Sequence, residues 1–248
     1  MPMSNQPVID AGLVYYTDNH GDETLLQACR DQLVRCVEPL GFPIVSISQK
    51  PLDFGKNIVM DIGRSVLSIF RQILKGIREC RTDYIFLIEH DLLYHPSHFY
   101  FEPARDDVFY YDRNRWSVCD ETGKAVFYHT NVPSMLCAKR DLLLRHYQLC
   151  VEHTRKNGYQ GKYGYSPPRG LPKELRRGEY KTWMADFPSL DIRREESWSR
   201  KRMDKSQFRS ERSCRGWTEA FAVPGWGKTA PFNEFLTGII GGSRHGHP

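Results

Sequence analysis

The chain has 248 residues, 40% of them hydrophobic, which allows one large α/β domain or one domain with an appendage. No run approaches the roughly 20 apolar residues of a membrane-spanning helix, and the opening MPMSNQPVIDAG lacks the basic and apolar regions of a signal peptide. Seven scattered cysteines without a CxxC pair favour free thiols over a disulfide framework or a zinc site. A cytoplasmic protein is therefore expected.

The net charge of +5 conceals an asymmetry along the chain. Residues 155–215 contain 17 Lys and Arg against 8 Asp and Glu, whereas the remainder is mildly acidic. A basic segment on an acidic body indicates a polyanionic partner, and an ordinary solvated surface is the alternative. We expect residues 1–154 to form a core and residues 155–248 to complete the same domain as a basic region.

The first half of the chain alternates strand and helix patterns. Each crossover is long enough for a helix, which predicts a parallel sheet with covered faces. The predicted elements are a strand at 12–17, a helix within 22–41, a strand at 42–48, a polar loop at 49–57, a helix around 66–77 and a strand at 84–88.

The pattern then changes. We expect strands of a mixed sheet at 106–120 and 124–138, a helix at 139–156, a long loop at 157–180, one short element at 183–192, a weakly periodic charged stretch at 193–215 and a Gly/Pro-rich tail. The predicted fold class is α/β, with a mixed central sheet flanked by helices and a basic C-terminal region.

The strand at 84–88 ends abruptly in Glu89, His90 and Asp91. In open α/β sheets, ligands gather outside the carboxyl ends of the strands. Residues i and i+2 of an extended segment share a side, so Glu89 and Asp91 can face one cation while His90 turns away. Hard oxygen ligands suit Mn²⁺ or Mg²⁺, with substrate phosphates completing the shell. A capped strand end with a surface salt bridge is the alternative.

The segment RQILKGIRECRTDYIFLIEHD resembles the helix–strand–metal unit of nucleotide-sugar glycosyltransferases with the GT-A fold, and the resemblance covers about residues 12–147. The wider pattern resembles a bacterial and phage branch of these transferases, related to enzymes that glucosylate hydroxymethylated pyrimidines in DNA. This pattern consists of EHD followed by YHPSHF, a later N-x-W and a P-x-x-DIR. The triplet departs from D-x-D. His95 and His98 in YHPSHF are candidate metal ligands, or else cap and pack.

The resemblance implies where a nucleotide sugar would bind. For each candidate taken singly, the alternative is an ordinary surface residue without a binding role. Lys50 and Lys56 would contact the diphosphate as point charges. The candidates are Thr17, Asp18, Lys50, Lys56, Asn57, Arg64, Gln72 and His90.

Acceptor contacts are expected later in the chain. The resemblance places the acceptor near His129, Asn131 and Ser134, and Asn114 and Trp116 alternate onto one strand face. Trp116 can stack on a sugar or base, although a strand tryptophan is more often core. Arg193 and Arg194 complete the acceptor set. The basic stretch also interleaves aromatic side chains suited to stacked bases: Tyr159, Tyr163, Tyr165, Trp183, Trp198 and Phe208.

An inverting transferase needs a carboxylate to take the proton of the attacking hydroxyl. Asp191 is the favoured candidate and Asp186 the second, while N-capping or pairing with Arg193 explains Asp191 equally well. Where the relatives would continue DIR with a metal-binding histidine, this chain has Arg194. Three alternatives follow: His245 or His247 supplies the third metal ligand, Arg194 offsets the phosphate charge directly, or the protein depends less on a metal.

The resemblance therefore implies a metal-dependent glycosyltransferase that uses a nucleotide sugar, with a UDP-sugar the expected donor. Hydroxymethylpyrimidine in DNA is the leading acceptor, because the basic stretch suits phosphates and a flipped base. A lipid-linked or surface-polysaccharide acceptor is the alternative within this reaction class. A metal-dependent nuclease and a non-catalytic nucleic-acid-binding module are the alternatives outside it.

Overall fold

The computed structural model describes residues 9–197 and 201–242. Its helices are α1 (Glu23–Val37), α2 (Val66–Glu79), α3 (Arg140–Asn157) and α4 (Phe232–Ile240). Its strands are β1 (Ala11–Tyr16), β2 (Ile44–Ser48), β3 (Lys56–Val59), β4 (Tyr84–Glu89), β5 (Leu92–Leu93), β6 (Val108–Asp112), β7 (Arg115–Cys119), β8 (Ala125–Phe127), β9 (Leu136–Lys139), β10 (Glu179–Trp183), β11 (Ser189–Arg193), β12 (Thr218–Ala220), β13 (Ala222–Val223) and β14 (Gly227–Lys228).

The first half of the chain forms the parallel part of a seven-stranded sheet, in the order β3-β2-β1-β4. The crossover helices begin where side chains cap them: Asp22 accepts from the Leu25 amide at 2.8 Å, and Ser65 from the Ser68 amide at 3.0 Å. The predicted β-α-β-α-β unit is confirmed. The predicted loop at 49–57 is wrong at its end, because Lys56–Val59 pairs with β2 as an edge strand whose exposed ends give no buried-strand pattern.

The second half completes this sheet and builds another. β9 lies antiparallel between β4 and β6, and β10 extends the edge parallel to β6. A five-stranded sheet follows the order β12-β8-β7-β11-β5. The region 106–138 thus divides between two sheets, and the single element expected at 183–192 is the end of β10 and most of β11. The α/β class with a mixed central sheet flanked by helices is confirmed.

Helices cover both faces of the central sheet. The apolar face of α2, with Phe70, Ile73 and Ile77, packs with α3 against one face. Leu33, Cys36 and Val37 of α1 pack against the other. A third core joins the five-stranded sheet to α1 and α4. Burial on both sides explains why the central strands are almost continuously apolar.

Residues beyond 154 supply β10 to the central sheet and β11 and β12 to the second sheet, and the division at residue 154 stays a prediction. Within the described ranges, no helix combines the length and apolarity needed to cross a membrane. The carboxyl ends of β1 and β4 lie side by side, and β5 and β11 run close to them. This arrangement brings distant polar residues to one edge.

Candidate functional site

A cavity of about 170 Å³ opens at the carboxyl ends of β1 and β4. Its polar wall combines the residues after β1, the Glu89–Asp91 triplet, and Asp191 and Arg193 of β11. Its apolar wall comes from α2, α3 and the end of β1. We call it the acidic cavity. The apolar and aromatic residues that line it are Tyr16, Ile69, Phe70, Ile73, Val132, Pro133, Tyr147 and Tyr165.

Glu89 is the carboxyl of this cavity whose pKa is raised among the described residues. Burial, together with the neighbouring charges of Asp91 and Asp191, raises the pKa of its carboxyl to about 7. The Tyr16 hydroxyl donates a hydrogen bond of 2.8 Å to Glu89 Oε1 and opposes this rise. Glu89 therefore exchanges its proton near neutral pH. A cation bound there would relieve the repulsion among the three carboxylates.

Glu89 and Asp91 line the same cavity, which is the arrangement expected of a pair that holds one cation. In residues 9–197 and 201–242, no group of three or more His, Cys, Asp or Glu side chains could hold a metal ion. His245 and His247 lie outside the described residues. A metal bound by Glu89 and Asp91 therefore stays a prediction, and such an ion would need ligands from a substrate.

The His95 side chain caps a short helix and the His98 side chain packs in the core, as the alternative to metal binding predicted. The His95 side chain accepts from the Ser97 amide at the start of a short 3-10 helix. His98 is fully buried, lies 2.9 Å from Asp112 through Nδ1, and stacks on Trp183. Neither lines the acidic cavity.

Five of the residues expected to bind the nucleotide sugar line the acidic cavity: Thr17, Asp18, Arg64, Gln72 and His90. Gln72 is buried and donates to the Thr17 carbonyl at 2.8 Å, which ties α2 to the end of β1. Arg64 donates to Asp18 at 2.6 Å and to the Glu196 carbonyl at 2.8 Å. Arg64 thereby joins the loop after β1 to the segment after β11.

The other three lie elsewhere. Lys56 begins β3, at the amino edge of the sheet, and pairs with Glu79 at 2.8 Å. The Asn57 amide donates at 2.9 Å to Ser46 and Ser48, which ties β3 to β2. Lys50 is exposed and is not among the residues lining the cavity. The strand that replaces the end of the expected loop carries Lys56 and Asn57 away from the site.

A second cavity, of about 1260 Å³, adjoins the first, and we call it the arginine basin. Its lining contains no Asp or Glu among the described residues. Tyr128, Tyr165, Tyr180 and Phe208 lie among its cations. The arginines that line it are Arg113, Arg115, Arg169, Arg193, Arg202, Arg209, Arg212 and Arg215. Such a surface favours a polyanion with stackable groups. Trp198, expected to contribute, lies outside the described residues.

The expected acceptor residues divide between the two cavities and the core. His129 and Asn131 line the arginine basin, Ser134 lines the acidic cavity, and Arg193 lines both. Asn114, Trp116 and Arg194 line neither cavity. Asn114 donates to the Ala185 carbonyl at 2.7 Å, and Trp116 packs against Phe127.

Arg194 is the third of these, and its predicted contact with the acceptor or phosphate is not supported. Its side chain is buried beside Gly21, where any Cβ would meet the guanidinium. The β11 strand ends at Arg193, so consecutive arginines point in different directions.

The two candidate catalytic acids have different surroundings. Asp191 is 4% exposed and lines the acidic cavity, where it pairs with Arg115 and with Arg193. Asp186 is exposed and lines neither cavity. The pairing alternative for Asp191 is therefore realised, and the role of either acid as a base stays a prediction.

Sequence reasoning missed part of the site. Arg113 and Arg115 precede the basic segment, yet they line its basin. Their i, i+2 spacing in DRNRW was the available signal, because alternate residues of a strand share a face. Tyr165, expected only as one of the aromatic side chains of the basic stretch, lines both cavities.

The chain matches no protein-family model and no curated protein. One solved structure to which it is similar is that of a glycosyltransferase involved in the glycosylation of the major capsid of PBCV-1. The similarity has a TM-score of 0.44 and a sequence identity of 10%, and it covers 70% of this chain and 81% of that chain. A likeness of this degree does not assign the chain to a family.

Proposed function

We propose that this protein is a glycosyltransferase that moves a sugar from a nucleotide sugar, with a UDP-sugar the expected donor, to a hydroxyl group of an anionic acceptor. The single observation that carries the proposal is the junction of an acid-lined cavity, at the carboxyl ends of parallel strands, with an arginine-lined basin. A donor needs the first surface, and a polyanionic acceptor needs the second.

The donor would enter the acidic cavity. Thr17, Asp18 and Gln72 surround the end of β1, and Phe70 and Tyr147 offer apolar surface for a nucleobase. The cavity volume of about 170 Å³ is below the roughly 300–1,000 Å³ typical of small-molecule sites. A nucleotide sugar must therefore extend across the shared wall toward the basin, or displace the Arg64 contacts that join Asp18 to Glu196.

Glu89 and Asp91 are the side chains that would hold Mn²⁺ or Mg²⁺. When bound, such an ion supplies positive charge that stabilises the diphosphate as it leaves. Arg193 lines the same cavity and adds a fixed positive charge. Tyr16 orients Glu89 through its hydrogen bond. These residues would favour the charge that develops when the bond between sugar and phosphate breaks.

DNA that carries hydroxymethylpyrimidine is the acceptor we propose. Arginine forks bind phosphate oxygens in pairs, and aromatic rings stack on unpaired bases. The basin supplies both kinds of side chain beside the acidic cavity. A flipped nucleotide held there would present its hydroxymethyl group at the shared wall.

The test is incubation with hydroxymethylated and unmodified DNA, a panel of UDP-sugars and Mn²⁺, read as nucleoside mass. A hexose added only to the hydroxymethylated base is the expected result. Glu89→Gln and Asp91→Asn should abolish transfer. Glu79→Gln, at the C-terminal end of α2 and outside both cavities, is the matched control and should retain it.

The alternatives give different results. A lipid-linked or polysaccharide acceptor bearing phosphate would give transfer to that molecule and none to DNA. A nuclease would cleave unmodified DNA with Mg²⁺, and a binding module would be stabilised by DNA without any response to UDP. Absence of both UDP binding and transfer would overturn the proposal.

A further inference from the structure

The wall between the two cavities has only a few residues. Val132, Pro133, Tyr165 and Arg193 line both the acidic cavity and the arginine basin. Arg193 is the charged member of this set. Its guanidinium is therefore the charged group that can contact anions bound in either cavity.

Arg193 is held in place from within β11. Asp191 precedes it by two residues, on the same side of the strand, and Arg193 Nη2 donates to Asp191 Oδ2 at 2.5 Å. A second, longer contact of 3.5 Å runs from Arg193 Nε to Ser117 Oγ on the neighbouring strand β7. The Arg193 side chain is only 12% exposed, and these contacts contribute to its position.

The same carboxylate also neutralises Arg115. Arg115 Nη1 donates to Asp191 Oδ2 and, at 3.1 Å, to Ser117 Oγ, and both charged side chains are buried. The Arg115 guanidinium lies 5.7 Å from the centre of the Tyr128 ring. Removal of this carboxylate would break both ion pairs in a buried site, which is costly.

We propose that Asp191 is a positioning residue that orients Arg193, so that one guanidinium serves anionic groups in both cavities. In terms of the proposed function, on which this inference rests, those groups are the donor diphosphate and an acceptor phosphate. Asp191 then acts through Arg193 and does not accept the proton of the attacking hydroxyl.

The test is a double-mutant cycle with Asp191→Asn and Arg193→Gln, with binding as its readout. The probes are inorganic pyrophosphate with Mn²⁺ for the acidic cavity and a labelled single-stranded oligonucleotide for the basin. In the wild-type background, Asp191→Asn should weaken both affinities about tenfold, the loss expected when a charged hydrogen-bonding group is misplaced. In the Arg193→Gln background Asp191→Asn should not weaken pyrophosphate binding, because Arg193 is no longer there to be misplaced. Its effect on oligonucleotide binding should be smaller than in the wild-type background, and what remains would come from Arg115, which also pairs with Asp191 and lines the basin.

Unchanged or tighter binding of either probe by Asp191→Asn would overturn the inference, and so would equal losses in the two backgrounds. A base would show normal binding of both probes with loss of transfer alone. If Asp191→Asn does not fold, Arg193→Lys decides: it keeps the charge but lacks the planar fork, and should weaken both probes. A loss confined to one probe would refute the shared role. Binding is measured without transfer, so failure of the proposed function appears separately as absent sugar transfer.

Discussion

The Tyr16 hydroxyl donates a hydrogen bond of 2.8 Å to the Glu89 carboxylate, and these residues are register partners at the ends of β1 and β4. The bond links the two central parallel strands at the edge where the acidic cavity opens. It opposes the effect of burial, which is the main cause that raises the pKa of this carboxyl to about 7. The ionisation state of the candidate metal ligand therefore depends on a neighbouring strand.

Tyr16→Phe should weaken Mn²⁺ binding at pH 7 by about threefold, because loss of a hydrogen bond worth roughly 1 kcal/mol raises the Glu89 pKa from about 7 and reduces the ionised fraction of the carboxyl. The measurement is a Mn²⁺ titration by electron paramagnetic resonance. Tyr15→Phe is the matched control, since Tyr15 points into the core on the opposite face of β1. Equal affinity of Tyr16→Phe and wild type would contradict a metal role for Glu89.

Glu89 should also make stability depend on pH. Its folded-state pKa of about 7 lies above the ordinary value of 4.5, so the native state binds the proton more tightly than the unfolded chain. The stability that this protonation contributes is fully present below about pH 4.5 and is lost as pH rises toward 7. Urea unfolding between pH 5 and 8 should show this decline in wild type relative to Glu89→Gln.

Mn²⁺ affinity should follow the opposite course. A carboxylate must lose its proton to bind a cation, so affinity should rise through pH 7. Saturating Mn²⁺ should accordingly raise the melting temperature more at pH 8 than at pH 6. A Mn²⁺ shift independent of pH would indicate that the ion binds away from Glu89.

Arg212→Gln should reduce the salt dependence of DNA binding. Arg212 is exposed and lines the arginine basin. Removal of one phosphate contact should lower the slope of log affinity against log salt by about 0.7 for a single strand. Fluorescence anisotropy across a salt series measures it. Arg78→Gln, exposed on α2 and outside the basin, should leave the slope unchanged.

Gly76→Ala should destabilise the fold by roughly 1–3 kcal/mol through overpacking. Gly76 lies in α2 against the central sheet, where a Cβ would collide with Val14 Cγ1. Urea unfolding measures the loss. Gly161→Ala is the control, because a Cβ there would meet only Tyr159, at 3.9 Å. Similar stabilities for the two variants would show that α2 does not pack this closely.

The local pattern was sufficient for the core of the fold. Burial on both faces makes β1, β2 and β4 apolar runs, and the apolar spacing along the chain marks the helices between them. These signals depend on neighbours along the chain. The same holds for the abrupt change from Ile88 to Glu89, which predicted a polar site at a strand end.

Other assignments required the tertiary structure, because a side chain's partners are not its sequence neighbours. Lys56 was expected in a loop near the site, but pairing of β3 with β2 places it at the opposite edge of the sheet. Arg194 is buried although Arg193 beside it lines both cavities.

The sequence alone determined that a parallel α/β sheet ends in acids and that a basic stretch follows, since periodicity, capping and charge are local properties. Only the tertiary structure decided that Arg113 and Arg115 join that stretch in one basin, and that Asp191 is bound between two arginines. Strand pairing across more than 70 residues sets these contacts, and the register of such pairing is a property of the whole sheet.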